Sequence, residues 1–384
     1  MDNVLRRHAN TAFLWIAGLL WLAVPAIDML GRLCLDKGDF AFRAWEIMAT
    51  PEPDAPGPFK VSATFDKTIY GDLANLLNVR KFRRIRHQHF QTDAYGFRNP
   101  AAPDTTYYPI VTIGDSDMAG SSLSDHETFS ARLAERLGVR IYNYAPRSLA
   151  AFLADPRFKA RPPRLIIWEH VERTIFSTVF RPYADWPDDS SLPSDMPLLP
   201  PSPPSEPRLS TYWSRAVFHE LRWRLTGLRP PDIGHIDPAS GMLFYAPGIQ
   251  MVSLTARQRG LSTVLKGIRN AHRYCRQQGI TLLYLPLPDK ENIYRFRLPA
   301  QRVNPQDQQP FLQILHAELV AQGIPAIDLY TPFRDLAAQG ELLYFPDDTH
   351  WNAQGVAAAA DIAARYIREQ SLLPESGITL QPTP

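Results

Sequence analysis

From residue 106 to residue 370, short apolar segments alternate with amphipathic ones, and this alternation limits the fold more than any other feature. Residues 107–113, 139–144, 165–168, 280–287 and 325–329 read as strands. Helical spacing covers 127–137, 261–278, about 309–322 and 355–370, and Gly138, Gly279 and Gly323 stand where the first three should stop. The strands are too uniformly apolar to have one wet face. They predict an α/β domain whose parallel sheet is covered by helices on both sides.

Arg6, Arg7 and His8 precede an apolar run over residues 11–30 that is broken only by Asp28. A helix of about 20 residues crosses a bilayer, and the preceding positive charge predicts an N-terminus left in the cytoplasm with the rest exported. The expectation is a retained single-pass anchor in the inner membrane with a periplasmic domain. Cleavage near Val24-Pro25-Ala26, leaving a periplasmic protein, is the alternative.

The expected layout is an anchor or signal over 1–34, a linker and basic segment over 35–105, the main domain over 106–375 and a tail over 376–384. Residues 50–59 are proline-rich, and residues 80–87 form a basic run. That run is either a solvated face or a contact for anionic lipid or an acidic polymer. His87 and His89 could share one side of a strand, but no third metal ligand is evident. An insertion over about 181–252 interrupts the domain as a lid or docking surface. Its prolines exclude a helix or inner strand over 181–208, while 211–227 looks helical.

The net charge of +2 gives no reason to expect nucleic acid as a partner. Cys34 and Cys275 form no metal pattern and read as free thiols. No cofactor is implied.

Gly114-Asp115-Ser116 follows the first domain strand, which puts a hydroxyl at the carboxyl edge of the sheet, where such folds build their sites. Gly114 would permit a tight turn, and the Ser116 N–H could face an oxyanion. The tripeptide alone mostly marks a turn. Its weight comes from Asp347-Asp348-Thr349-His350 near the other end of the domain. His350 would take the serine proton, and Asp347 or Asp348 would orient it.

This pair of blocks resembles the GDSL/SGNH hydrolase superfamily over about 106–370. The stretch Thr92-Asp93-Ala94-Tyr95-Gly96-Phe97-Arg98-Asn99 is similar to one found upstream in exported bacterial members. The resemblance implies a flavodoxin-like three-layer α/β/α sandwich with a carboxylate three residues before the histidine, which selects Asp347 with Asp348 as runner-up. Two pieces carry a narrower resemblance to periplasmic alginate O-acetyltransferase-like proteins, which acetylate exopolysaccharides through an acetyl-serine. These are Asp348-Thr349-His350-Trp351, and Pro286-Leu287-Pro288-Asp289-Lys290 with Tyr294. Some of that group place the aspartate two residues before the histidine, which selects Asp348. Their blocks can also run histidine first, whereas here the serine comes first.

Asn143-Tyr144-Ala145-Pro146-Arg147-Ser148 lacks the superfamily's second-block glycine, and Trp168-Glu169-His170-Val171-Glu172-Arg173 lacks its Gly-x-Asn. Ser148 and Arg173 are therefore candidates, with Ser116, for binding the oxyanion; Arg173 could instead pair with Glu172 or Glu169. Lys290, Tyr294 and Trp351 are candidates for lining a sugar cleft, against plain packing at the sheet edge.

The resemblance implies an exported serine O-acyltransferase that acetylates a cell-surface polysaccharide, with its acyl group supplied by a membrane O-acyltransferase-type partner. A carbohydrate esterase or deacetylase using the same residues, and a non-catalytic polysaccharide-assembly subunit, are the alternatives.

Overall fold

The computed structural model describes residues 2–34, 43–50, 55–186, 213–299 and 310–373. The strands are β1 (Thr64–Ile69), β2 (Arg86–Gln91), β3 (Ile110–Ile113), β4 (Ile141–Asn143), β5 (Leu165–Val171), β6 (Ile233–Ile236), β7 (Leu243–Tyr245) and β8 (Thr281–Leu287). β1 and β2 form an antiparallel pair, as do β6 and β7, while the central sheet is parallel in the order β4-β3-β5-β8.

The segment expected as a strand over 325–329 adds one parallel bridge, Ala326 to Tyr284, beside β8. Pro325 has no N–H to extend the ladder, and Asp328 Oδ1 accepts from Thr331 N at 3.1 Å, turning the chain into the helix Tyr330–Ala338. With that bridge counted, the strands follow the flavodoxin-like order 2-1-3-4-5. The chain reverses direction across the sheet between β3 and β5, and the loops after these two strands open into one crevice.

Every residue of β3 is buried, as is every residue of β5 except His170. The crossovers between these parallel strands carry the helices that cover the sheet. Phe129–Leu137 packs with Ala353–Glu369, while Ser177–Ala184, Leu261–Gln277 and Phe311–Ala321 form the other layer. In that second layer a Cβ on Gly267 would lie 2.7 Å from Phe180 O, so only glycine lets these helices cross so closely.

Ser177–Ala184 runs through Pro182, so the expectation of no helix from 181 onward fails for its last turn. Pro182 forfeits one backbone bond, and Asn270 Nδ2 covers the exposed end by donating to Tyr183 O and Ala184 O at 3.1 and 3.2 Å. Residues 187–212, which hold most of the proline-dense stretch 181–208 at the start of the expected insertion, lie outside the described residues. Beyond them a helix spans Trp213–Thr226.

Residues 55–105 carry β1, β2 and the short helix Asp72–Leu77 between them. Arg98 is buried and fastens this layer to the loop after Ser116, donating to Gly120 O, to Leu123 O at 2.6 Å and to Asp125 Oδ1 at 2.7 Å. At the N-terminus one helix covers Asp2–Cys34, and its portion Asn10–Leu30 is long and apolar enough to cross a membrane. Cys34 is exposed, Cys275 is buried, and both are free.

Candidate active site

Ser116 follows β3 in a turn held to β5 from both sides. Asp115 N donates to Glu169 Oε2 at 3.1 Å, and Asp115 Oδ2 accepts from Val171 N at 3.2 Å. Gly114 is needed for space, not for an unusual backbone angle: its φ is not positive, but a Cβ there would lie 2.2 Å from Glu169 Oε2.

Ser116 Oγ lies 2.8 Å from His350 Nε2. The other ring nitrogen, Nδ1, is 2.6 Å from Asp348 Oδ1, and both His350 and Asp348 are buried. Asp348 Oδ1 also accepts from His350 N at 3.2 Å, and Oδ2 accepts from Ser122 Oγ at 2.6 Å and Arg86 Nη2 at 2.7 Å. These bonds hold the carboxylate against Nδ1 and favour the tautomer that leaves Nε2 free to accept a serine proton.

Asp347, preferred from the resemblance, is turned the other way. Its Oδ2 accepts from Gly71 N at 2.8 Å and Arg84 N at 2.9 Å, and its Oδ1 accepts from Arg86 Nη1 at 3.0 Å. It anchors the loop to the preceding layer, and its neighbour meets the histidine.

Residues 241–384 match the family model described as the SGNH hydrolase-like domain of acetyltransferase AlgX. The chain carries an SGNH hydrolase-like domain. The match takes in Asp348 and His350, while Ser116, Asp72 and Arg86 precede it. No curated protein matches the chain.

Three residues expected to line a cleft of this SGNH-like domain are instead buried supports. Lys290 Nζ donates to Phe345 O, Pro346 O and Asp348 O at 2.9, 3.2 and 2.8 Å, holding the loop that presents Asp348. Tyr294 Oη donates to Glu341 O at 2.9 Å and accepts from Leu343 N at 2.8 Å. Trp351 stacks on Phe129 with centroids 5.9 Å apart and donates through Nε1 to Asp117 O at 3.2 Å. Fully buried side chains already satisfied in this way cannot contact a sugar.

The oxyanion candidates separate. No described residue accepts a hydrogen bond from the Ser116 N–H. Ser148 caps the helix Leu149–Ala154, its Oγ accepting from Ala151 N at 3.2 Å. Arg173 pairs with neither Glu172 nor Glu169. It donates to Asp289 Oδ1 at 2.7 Å and lies 3.7 Å from Oδ2 of Asp117, the residue after the serine.

Asp72, Arg86 and Ser122 complete the SGNH-like site from segments that carry no recognisable motif. Asp72 Oδ2 is 3.8 Å from His350 Nδ1 and accepts from Thr349 Oγ1 at 2.6 Å. Burial alone would lower the His350 pKa, but Asp117, Asp348 and Asp72 outweigh it and raise it to about 9. Burial would raise Asp348, yet His350, Arg86 and Ser122 hold it well below the ordinary carboxylate range. Asp117 is pushed up to about 7, chiefly by burial.

Asp72, Asp348 and His350 place three potential metal-ligand atoms within 4.8 Å of one another. A cation there would compete with the Asp348 to His350 hydrogen bond, so this set suits proton transfer better than metal binding. On β2, His87 pairs with Asp66 at 2.7 Å and His89 with Asp125 at 2.8 Å.

Proposed function

We propose that this chain is an exported, membrane-tethered serine O-acetyltransferase that acetylates a cell-surface polysaccharide. The observation that carries the reading is the 2.8 Å contact between Ser116 Oγ and His350 Nε2, with Asp348 on the opposite ring nitrogen. The match to an acetyltransferase family favours acyl transfer as the reaction type.

Ser116 Oγ attacks the acetyl carbonyl of the donor while its proton passes to His350 Nε2. The imidazolium, stabilised by Asp348, returns that proton to the leaving group as the carbonyl re-forms, giving acetyl-Ser116. A sugar hydroxyl then attacks the acyl-enzyme, again losing its proton to His350, and the serine is released. That no described residue accepts from the Ser116 N–H supports its role as a donor to the developing oxyanion. The apolar helix ahead of the domain supports membrane attachment, and acetyl groups would come from a membrane-embedded acyltransferase-type partner.

The test is to incubate the purified full chain with an activated acetyl ester, with and without an oligosaccharide acceptor. Acetyl-Ser116 that passes its acetyl group to the sugar supports the proposal. Rapid release of free acetate that is unaffected by acceptor would replace it with an esterase. No acylation of Ser116 would point to an assembly subunit.

A further inference from the structure

The helix Trp213–Thr226 is turned inside out. Val217, Leu221 and Leu225 follow at four-residue steps with Phe218 beside them, forming one stripe about 100° wide. A surface helix normally buries such a stripe. Here these four side chains are 54% to 74% exposed, and Leu228 just beyond is exposed as well. The side facing the body is the more polar one. His219 Nδ1 is 3.2 Å from Leu77 O, Glu220 Oε2 accepts from Arg80 N at 3.0 Å, and Trp223 meets Phe82 edge-on at 5.4 Å.

Arginines border the stripe, with Arg224 along one edge and Arg222 along the other. The basic run adjoins it: Arg80, Lys81 and Arg84 are exposed, and Lys81 Nζ sits 5.1 Å over the Trp223 ring. The N-terminal helix, the one described segment long and apolar enough to cross a bilayer, packs against this same helix.

We infer that Trp213–Thr226 is an interfacial helix that lies on an anionic lipid surface, with Val217, Phe218, Leu221 and Leu225 among the acyl chains and the flanking cations at the phosphates. An apolar stripe between cationic borders suits the boundary between headgroups and acyl chains. Its contact with a candidate membrane span argues for lipid over a soluble partner. Docking would also orient the site, because the same layer carries Asp72 and Arg86, which touch His350 and Asp348. The inference rests on the proposed membrane attachment and not on the acyl chemistry.

The test uses the full chain with Cys34→Ser, since Cys275 is buried, in nanodiscs of phosphatidylcholine with phosphatidylglycerol. A nitroxide is placed on Leu225→Cys, with a separate label on exposed Glu369→Cys as reference. The expected ratio of oxygen to nickel-chelate collisions at 225 is about threefold or more above that at 369, as for a site at acyl depth. Adding Val217→Glu and Leu221→Glu should return it to the reference value. A label at 225 as open to nickel as the reference overturns the inference, as does protection from both reagents, which would mean a protein cover. Failure of the chain to co-elute with the discs would overturn both this surface and the anchor. The same collision ratio in a chain unable to transfer acetyl would sink the proposed function and leave the surface standing.

Discussion

Arg86 Nη2 donates to Asp348 Oδ2 across 2.7 Å, joining two residues 262 positions apart in the chain. The same guanidinium holds Asp347 at 3.0 Å, donates to Ser122 O at 3.3 Å and lies 3.9 Å over the Phe345 ring. The layer ahead of the sheet is thereby part of the site.

Replacing Arg86 with Gln leaves two buried carboxylates without their cation, so stability should fall by about 3 kcal/mol. Activity should drop by about 10- to 100-fold, and Arg86→Lys should restore part of it, because a lysine keeps the charge but not the two-pronged geometry. Denaturant unfolding and initial rates check both. Wild-type stability in Arg86→Gln would remove this role.

The two neighbouring aspartates should behave very differently. Asp348→Asn leaves His350 Nδ1 facing an amide and, under the proposed function, should cost about 10⁴-fold in kcat, comparable in scale to the loss of the orienting carboxylate in serine triads. Asp347→Asn should lower the melting temperature and change kcat by less than about tenfold, since it makes backbone contacts away from the ring. Equal losses of kcat in the two variants would contradict the geometry.

His350 must be neutral to accept the serine proton, and its pKa is raised to about 9. The acid limb of kcat/KM should therefore lie well above the ordinary histidine range of about 6.5, with activity rising as pH increases towards 9. Stability follows the opposite course. The imidazolium's contribution is complete below the unfolded pKa and is lost as pH rises through the folded one. Asp348 adds stability above its unfolded pKa, lost only as pH falls through its depressed folded value. Asp117→Asn removes the strongest carboxylate raising His350 and should move the acid limb to lower pH, measurable in a pH–rate profile. An unmoved limb would show that Asp117 does not act on the histidine.

A Cβ on Gly71 would lie 1.9 Å from Asp347 O, a backbone atom that cannot step aside. Gly71→Ala should push the preceding layer off the acid–histidine loop, costing about 2 kcal/mol or more of stability together with activity. Thermal unfolding and acylation of Ser116 measure the two effects, and a fully active Gly71→Ala enzyme would mean that the layer gives way freely.

Much of the sheet was legible because its signals are local. The runs Ile110–Ile113 and Leu165–Val171 are short and apolar, and the helices between strands end near glycines at positive φ, such as Gly138 and Gly279. The single bridge at Ala326 was harder to foresee, since apolar composition alone does not say where a ladder stops. Pro182 misled in the other direction, because the Asn270 side chain that supports its helix end is remote in sequence.

The sequence by itself determined the α/β class and put Ser116 and His350 forward as a pair, because a strand-end serine and an acid–histidine block are each readable within a few residues. Tertiary structure decided which aspartate faces the ring, since Asp347 and Asp348 are adjacent and only the loop's path, held by Lys290, points one inward. It also decided that Lys290, Tyr294 and Trp351 are buried supports. Asp72 and Arg86 entered the site the same way. Their roles depend on contacts more than 250 residues away along the chain, and no local pattern encodes a distance closed only by folding.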